Sequence, residues 1–270
     1  MGTVDTSSLD RDAIERALLH DDSIWTEIAI VERTESTNAD VAAAARDGAA
    51  EGLVVTTEHQ VAGRGRLGRS WESPPRSGLA VSVLLRPTAV PAPRWPWLPL
   101  LAGVAVRESV VAVADVDAVL KWPNDVLVAG RKLAGVLVER IDSDIGPAAV
   151  LGVGLNVSLD ADQLPTPEAT SLRLIGATTD RTALLVDLLR RLESRYVAWV
   201  DGAGDPGELR AAYVSGCATV GQRVRVELPD GSTLVGRAVG IDAAGRLEID
   251  TDGERRAVGA GDVVHLRSRS

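Results

Sequence analysis

The apolar residues of the first 215 positions repeat with two different periods. Seven short segments alternate apolar and polar residues or run continuously apolar, which predicts β-strands, whereas five longer ones have the three-to-four-residue spacing of helices. The predicted strands cover residues 27–31, 53–57, 79–86, 119–121, 126–128, 132–139 and 148–157. The predicted helices cover residues 9–19, an alanine-rich stretch from Ser36 or Thr37 to Gly48, and residues 100–114, 181–200 and 206–214.

The pattern changes after Ser215. Five short strands are predicted within about fifty residues, separated by Asp- and Gly-containing turns, and this density is typical of a small barrel. We therefore expect an N-terminal extension at 1–22, a main domain at 23–215 and a C-terminal module at 216–270. The five strands are predicted at residues 223–228, 233–241, 247–250, 255–258 and 263–266.

The composition limits the classes of function that the protein can have. The chain has 270 residues, 45% of them hydrophobic, so it can form a packed core, and its net charge of −9 argues against general binding of nucleic acid. A single cysteine, Cys217, and three scattered histidines predict neither a disulfide framework nor a metal site in the protein. No secretory signal pattern and no apolar run near membrane-spanning length are evident. We expect a soluble, cytoplasmic protein.

One basic stretch stands out on this acidic chain. Residues 63–71 read GRGRLGRSW, with three glycines and three arginines alternating over seven positions. Bare backbone N–H groups and guanidinium forks both suit phosphate, so the pattern predicts a loop that is mobile when empty and orders around a phosphate-bearing ligand. A dinucleotide fingerprint and a P-loop with Arg69 in place of the lysine are rejected, because both need a helix next and Pro74 and Pro75 make one improbable. A solvated basic loop or a nucleic-acid contact is the simpler alternative.

Four further polar clusters accompany this loop. They are a Ser-Thr-Asn run at a helix start, KWPND in a turn, RKLAG entering a strand and GVGLN inside an apolar strand. Taken singly, the first three are explained by helix capping, an Asx turn and a solvated strand end. Glycine inside the last strand often marks a backbone that a ligand approaches. The clusters occupy residues 36–38, 121–125, 131–135 and 152–156.

Together with Gln60 and the loop, these clusters form an ordered set that resembles the biotin protein ligase family. The resemblance covers roughly residues 26–200. It implies an α/β (α+β) fold, in which a mixed-sheet catalytic domain related to class II synthetases precedes a small SH3-like β-barrel. Some bacterial members carry an N-terminal winged helix and act as repressors. The helix predicted at residues 9–19 is too short for one, so a monofunctional member without a DNA-binding domain is expected.

The resemblance implies a two-step, ATP-dependent reaction. Biotin is first activated as biotinyl-5′-AMP, with ATP as co-substrate and Mg²⁺ as its counter-ion. The biotinyl group is then transferred to a lysine of the biotin carboxyl carrier domain of an acyl-CoA carboxylase. Partners are thus biotin, ATP and the carrier domain, with no nucleic acid and no membrane.

The resemblance also implies a role for each matching residue. Lys132 and Arg66 would be catalytic, and Asp125 would either bind magnesium or orient Lys121. The biotin-binding residues would be Ser36, Thr37, Asn38, Gln60, Gly63, Arg64, Gly65, Arg66, Lys132 and Gly135. The ATP-binding residues would be Arg66, Arg69, Trp71, Asn124, Lys132 and Asn156.

Two other functions compete with this one. A lipoate- or octanoate-transferring enzyme has a related fold, although such enzymes carry a different glycine-rich loop and no KWPND. A non-catalytic binding protein or nucleic-acid regulator could use the arginine loop and the barrel, but the acidic balance weighs against it.

Overall fold

The computed structural model describes residues 7–228 and 230–266. Parts of three predicted features lie outside these residues: the start of the 1–22 extension, Pro229 of a predicted turn, and the last four positions of the C-terminal module.

A seven-stranded mixed sheet forms the centre of the main domain. Its strand order is β1-β2-β5-β9-β8-β7-β6, with β1 parallel to β2 and every other neighbouring pair antiparallel. The central strands β5 and β9 are buried along their whole length, which explains their nearly continuous apolar sequence. The strands of this domain, including two outside the sheet, are β1 (Glu27–Val31), β2 (Leu53–Thr57), β3 (Gln60–Arg64), β4 (Ser70–Ser73), β5 (Gly78–Leu85), β6 (Ala118–Lys121), β7 (Asp125–Val128), β8 (Arg131–Ile141) and β9 (Ala148–Asn156).

Helices cover both faces of the sheet. The apolar helix α3 packs on one face together with α4, and α2 buries Val41 and Ala45 against the other face. Helix α1 packs on α4 and buries Ile14 and Leu18 in the same core, so this part of the predicted extension is joined to the main domain. The helices are α1 (Arg11–Leu18), α2 (Thr37–Arg46), α3 (Leu98–Ala114), α4 (Arg181–Asp201) and α5 (Gly207–Gly216).

Helix α3 continues a preceding 3₁₀ helix. Together they form one helical stretch, Ala92–Ala114, which by length and composition alone could cross a membrane, and 67% of its most apolar window is buried in the fold. The stretch is longer than the sequence pattern indicated because the two helical pieces join end to end. Its apolar composition is that of a helix packed between α4 and the sheet.

The five predicted C-terminal strands are all present, each within one residue of its predicted bounds. They form an antiparallel sheet of order β13-β12-β11-β10-β14, which leaves β13 and β14 at its two edges. Closure into an SH3-like barrel, like the boundary at 216, stays a prediction. The strands are β10 (Arg223–Glu227), β11 (Thr233–Ile241), β12 (Leu247–Thr251), β13 (Glu254–Val258) and β14 (Asp262–His265).

The glycine–arginine stretch is a hairpin, and the sequence did not predict it. Strands β3 and β4 pair through Gly63 with Trp71 and through Arg64 with Ser70, and a 3₁₀ turn, Arg66–Gly68, connects them. Neither strand shows apolar alternation, because the hairpin lies outside the main sheet and buries little surface. We call residues 60–73 the arginine hairpin.

A buried ion pair joins the segment just before the arginine hairpin to α4. The Arg181 guanidinium lies 2.6 Å from the Glu58 carboxylate, and both side chains are less than 5% exposed. Glu58 also accepts a hydrogen bond from the backbone N–H of Leu9, and Arg181 also donates to the carbonyl of Ser7.

Replacing Arg181 with methionine should therefore leave the Glu58 carboxylate buried in the core without its ion-pair partner. We expect the free energy of unfolding, measured in urea, to fall by about 3–5 kcal/mol. The control is Arg173→Met, which removes an exposed pair with Asp160 and should cost about 1 kcal/mol or less. Equal losses in the two variants would contradict the structural role of the buried pair.

Candidate active site

A cavity of about 590 Å³ lies between the main sheet, the arginine hairpin and the edge strand β14 of the C-terminal sheet. Nearly all of the predicted site residues line it. Gly63 does not: a side chain there would meet the Gln60 amide at 2.0 Å, so this glycine leaves room for Gln60. The predicted residues that line the cavity are Ser36, Thr37, Asn38, Gln60, Arg64, Gly65, Arg66, Arg69, Trp71, Asn124, Lys132, Gly135 and Asn156.

A chain of hydrogen bonds fixes the polar groups at the α2 end of the cavity. Of the two predicted candidates, Ser36 and Thr37, Ser36 caps α2, and its hydroxyl accepts from the backbone N–H of Ala39. The next residue, Thr37, donates its backbone N–H to the Gln60 side-chain oxygen at 3.0 Å, and its hydroxyl lies 2.7 Å from that of Ser82. The side chains of Thr37, Gln60 and Ser82 are thus buried together and held by one another.

Asn38 extends this chain to a carboxylate. The Ser82 hydroxyl donates to Asn38 Oδ1 at 2.6 Å, and Asn38 Nδ2 donates to Glu139 Oε2 at 2.7 Å. Because both ends of the amide are bound, its orientation is set. Ser82 and Glu139 carried no predicted role. Ser82 interrupts an otherwise apolar buried strand, and that single polar position was the available signal.

Two glycines of β9 face protein side chains. A Cβ at Gly152 would lie 2.0 Å from Asn38 Oδ1, and one at Gly154 would lie 2.3 Å from the Trp71 ring. The predicted close approach to this strand is therefore made by Asn38 and Trp71. Because these two positions have no side chain, the Asn38 amide and the Trp71 indole pack directly against the backbone of β9.

Lys132 is held beside an acid and an aromatic ring. Its Nζ lies 2.6 Å from Asp125 Oδ1 and 5.4 Å from the centre of the Trp71 ring. The sequence left Asp125 open as a magnesium ligand or as a partner of Lys121, and the structure places its carboxylate on Lys132. The described residues contain no group of three or more His, Cys, Asp or Glu able to hold a metal ion.

Arg66 points from the hairpin turn towards the KWPND turn. It donates to Asn124 Oδ1 at 3.1 Å, while the Asn124 amide group donates to the carbonyl of Val136 at 2.9 Å. Desolvation lowers the pKa of Arg66, and the negative charges of Asp262 and Asp125 oppose that shift. An arginine stays protonated under these conditions, so Arg66 supplies a fixed, partly desolvated cation.

Asn156 fixes a segment that the sequence described only as irregular. Its side-chain amide donates to the carbonyl of Thr170 at 3.0 Å, and the backbone of Lys132 bonds to Glu168 and Thr170 on either side of Ala169. Residues 165–169 therefore form a further wall of the cavity, next to Lys132.

Two family models match the chain. That of the Biotin/lipoate A/B protein ligase family matches residues 30–156, and that of the Biotin protein ligase C terminal domain matches residues 219–266. The biotin--[acetyl-CoA-carboxylase] ligase of Mycobacterium tuberculosis is 46% identical over 264 residues, which cover 96% of both chains. The chain belongs to the biotin protein ligase family.

Other members differ in length. The bifunctional ligase/repressor BirA of Bacillus subtilis is 32% identical, over 81% of this chain and 68% of that protein. The biotin protein ligase from Aquifex aeolicus, solved in complex with biotin and ATP, has a TM-score of 0.75 at 26% identity, covering 90% of this chain and all of that one. The family resemblance predicted from the motifs and the mixed-sheet fold are therefore confirmed.

In this biotin protein ligase, the C-terminal sheet is attached directly to the KWPND turn. Trp122 donates its backbone N–H to Thr219 Oγ1 and its indole N–H to the carbonyl of Gly245, both at 3.1 Å. Thr219 Oγ1 also lies 3.1 Å from His265 Nε2. The hydroxyl accepts from Trp122 and has one O–H with which it can donate to the His265 nitrogen when that nitrogen is unprotonated.

His265 should accordingly resist protonation. Burial lowers its pKa, as does the nearby positive charge of Lys121, so the folded chain binds this proton less readily than the unfolded chain. We expect the neutral His265 ring to make its full contribution to the free energy of unfolding above pH 6.5. This contribution is lost as the pH falls through the lower folded-state pKa. The measurement is an NMR titration of the His265 ring, with His265→Gln to assign the signal. Lys121→Met should raise the pKa, and a folded-state value at or above 6.5 would refute the interpretation.

Proposed function

We propose that this chain activates biotin with ATP as biotinyl-5′-AMP and transfers the biotinyl group to a carrier-domain lysine. One observation carries the proposal: a single cavity joins a buried network of neutral polar groups to the cations Lys132 and Arg66. Biotin has matching ends, a neutral cyclic urea and a carboxylate. Support also comes from the relatives named above, one of which was solved with biotin and ATP.

The neutral end of the cavity is assigned to the urea ring. Thr37, Asn38 and Gln60 offer hydroxyl and amide groups whose orientations are already set. A ligand that meets such groups loses little ordering entropy on binding. Ser36, Arg64 and Gly65 also line the cavity and are assigned to biotin.

The cationic end is assigned to the reacting groups. In the first step, a biotin carboxylate oxygen forms a bond to the α-phosphorus of ATP while the bond to the β-phosphate breaks and pyrophosphate leaves. Both reactants are anionic, so cations must hold them together. Lys132 and Arg66 supply that charge, Gly135 leaves room beside Lys132, and Arg69, Trp71, Asn124 and Asn156 are assigned to the nucleotide.

In the second step, the neutral amine of the acceptor lysine attacks the biotinyl carbonyl carbon. The amide bond forms as the carbon–oxygen bond to AMP breaks, the electron pair leaves with the phosphate, and the nitrogen loses a proton to solvent. The anhydride also hydrolyses if water reaches it, which gives the hairpin a protective role.

The proposed reaction also requires a metal ion, an acceptor protein and a cellular location. We assign Mg²⁺ to the phosphates of ATP, since magnesium keeps several waters and needs few protein ligands. Asp125 is not assigned to the ion, because it is paired with Lys132. The proposed acceptor is the biotin carboxyl carrier domain of an acyl-CoA carboxylase, without a nucleic-acid or membrane partner. The proposed location is the cytoplasm, where ATP and such carboxylases occur.

The direct test combines the protein with biotin, Mg-ATP and an isolated carrier domain, and measures the mass of the carrier. An increase by one biotinyl group that requires ATP is expected; lipoate in place of biotin should give none. Lys132→Ala should slow biotin-dependent ATP–pyrophosphate exchange about a hundredfold. Arg140→Ala, which removes an exposed cation from the same strand, is the control. Wild-type exchange rates in the Lys132 variant would reject its catalytic role.

Glu139 should act as a positioning residue for Asn38. Glu139→Leu removes the acceptor that orients the Asn38 amide and should weaken biotin binding about tenfold, the usual worth of one such hydrogen bond. Glu139→Gln retains an acceptor oxygen and should restore most of the affinity. Titration calorimetry with biotin alone makes the comparison, and equal affinities of the leucine and glutamine variants would count against the assignment.

A further inference from the structure

The C-terminal sheet contributes one charged group to the cavity. Asp262, Val263 and Val264 at the start of the edge strand β14 line it, and the Asp262 carboxylate contacts the guanidinium of Arg69 in the arginine hairpin. The contact joins residues 193 positions apart in the sequence, from two regions matched by different family models.

The position of Asp262 is fixed by the rest of the fold. Besides the two hydrogen bonds from Trp122, the backbone N–H of Ala218 donates to Leu120 at 2.8 Å, and the indole of Trp97 donates to Ala243 at 3.0 Å. Val263, the neighbour of Asp262, is buried in the common core. The C-terminal module is therefore attached along the KWPND turn and the start of α3.

The tip of the arginine hairpin is held much less firmly. Arg64, Gly68, Arg69 and Ser70 are exposed, and the Arg69 side chain is 64% exposed even in contact with Asp262. The hairpin base is anchored by Gln60, whose side-chain oxygen accepts from the backbone N–H of Thr37 at 3.0 Å and whose amide donates to the carbonyl of Trp71 at 3.2 Å. Asp262 thus offers a fixed acid to the tip, in addition to the hydrogen bond that Arg66 of the same turn donates to Asn124.

We propose that Asp262 is a positioning residue. Through its ion pair with Arg69, the C-terminal module holds the arginine hairpin over the cavity. The inference rests on the proposed function, because the object held under the hairpin is the biotinyl-adenylate. A guanidinium has five N–H donors, so contact with Asp262 leaves others free to face a phosphate. The module would then control how long the intermediate is retained.

The size of the effect follows from the exposure of the pair. Exposed ion pairs contribute little and are screened by salt, so removal of the carboxylate should speed adenylate release about threefold to fivefold at low salt. We call the Arg69–Asp262 ion pair the latch. A weak latch suits a hairpin that has to open in every catalytic cycle. A buried pair of the Glu58–Arg181 type would hold the hairpin too firmly for turnover.

The first experiment measures release of labelled biotinyl-adenylate, formed on the protein and chased with unlabelled biotin and ATP. Asp262→Asn should release it about threefold to fivefold faster at low salt, and the difference should vanish at about 1 M salt. The exchanged pair Arg69→Asp with Asp262→Arg should release more slowly than Arg69→Asp alone. Glu254→Gln, which removes an exposed acid from β13 of the same module, should match the wild type.

The second experiment needs no ligand and separates the two proposals. Trypsin should cut the ligand-free Asp262→Asn protein after Arg64 and Arg66 faster than the wild type or Glu254→Gln. If the wild type forms no adenylate, the proposed function fails while this cleavage still reports on the latch. Equal release and equal cleavage in Asp262→Asn and wild type would overturn the role of Asp262, as would an exchanged pair no better than Arg69→Asp.

Discussion

The cavity depends on holding three cations close together before any anion arrives. Lys132 is neutralised by Asp125, Arg69 by Asp262, and Arg66 bonds to the neutral oxygen of Asn124. Without these partners, mutual repulsion would spread the cations into solvent. Because the Arg69 side chain is exposed, its pair with Asp262 contributes about 1 kcal/mol or less. Under the proposed function, Arg69 keeps its contact with Asp262 while its other N–H donors face the phosphate, and an incoming anion has to displace only Asp125 from Lys132.

The neutral end of the cavity follows the opposite rule. Thr37, Ser82 and Asn38 are buried, so an unsatisfied polar atom there would be costly, and each is bound to the next. Gly152 permits this arrangement, since any side chain at that position would collide with the Asn38 amide. Partly exposed partners hold the charged groups and buried partners hold the neutral groups, within one cavity.

Much of this organisation could be predicted from the sequence, because it depends on local patterns. The apolar period identified α4, the cap of α2 was narrowed to Ser36 or Thr37, and the turn residues marked the C-terminal strands. The pairing of Asp125 with Lys132 could not be predicted. A bulge between Val126 and Leu127 shifts the register of β7 against β8 by one residue, and side-chain alternation carries no sign of such a shift. The hairpin β3–β4 was not predicted because its strands bury no continuous face and therefore show no apolar alternation.

The change of pattern near residue 216 does not divide the core. Buried residues from both regions, such as Leu120 before the boundary and Val224 and Ile249 after it, belong to one continuous cluster. Trp122 is 1% exposed and bonds to the C-terminal module through both its backbone and its indole. Asn124, two residues further on, receives Arg66. The turn that receives the arginine of the hairpin is therefore positioned by the module that supplies Asp262, so one rigid unit presents both contacts to the hairpin, and a displacement of the module would disturb both together.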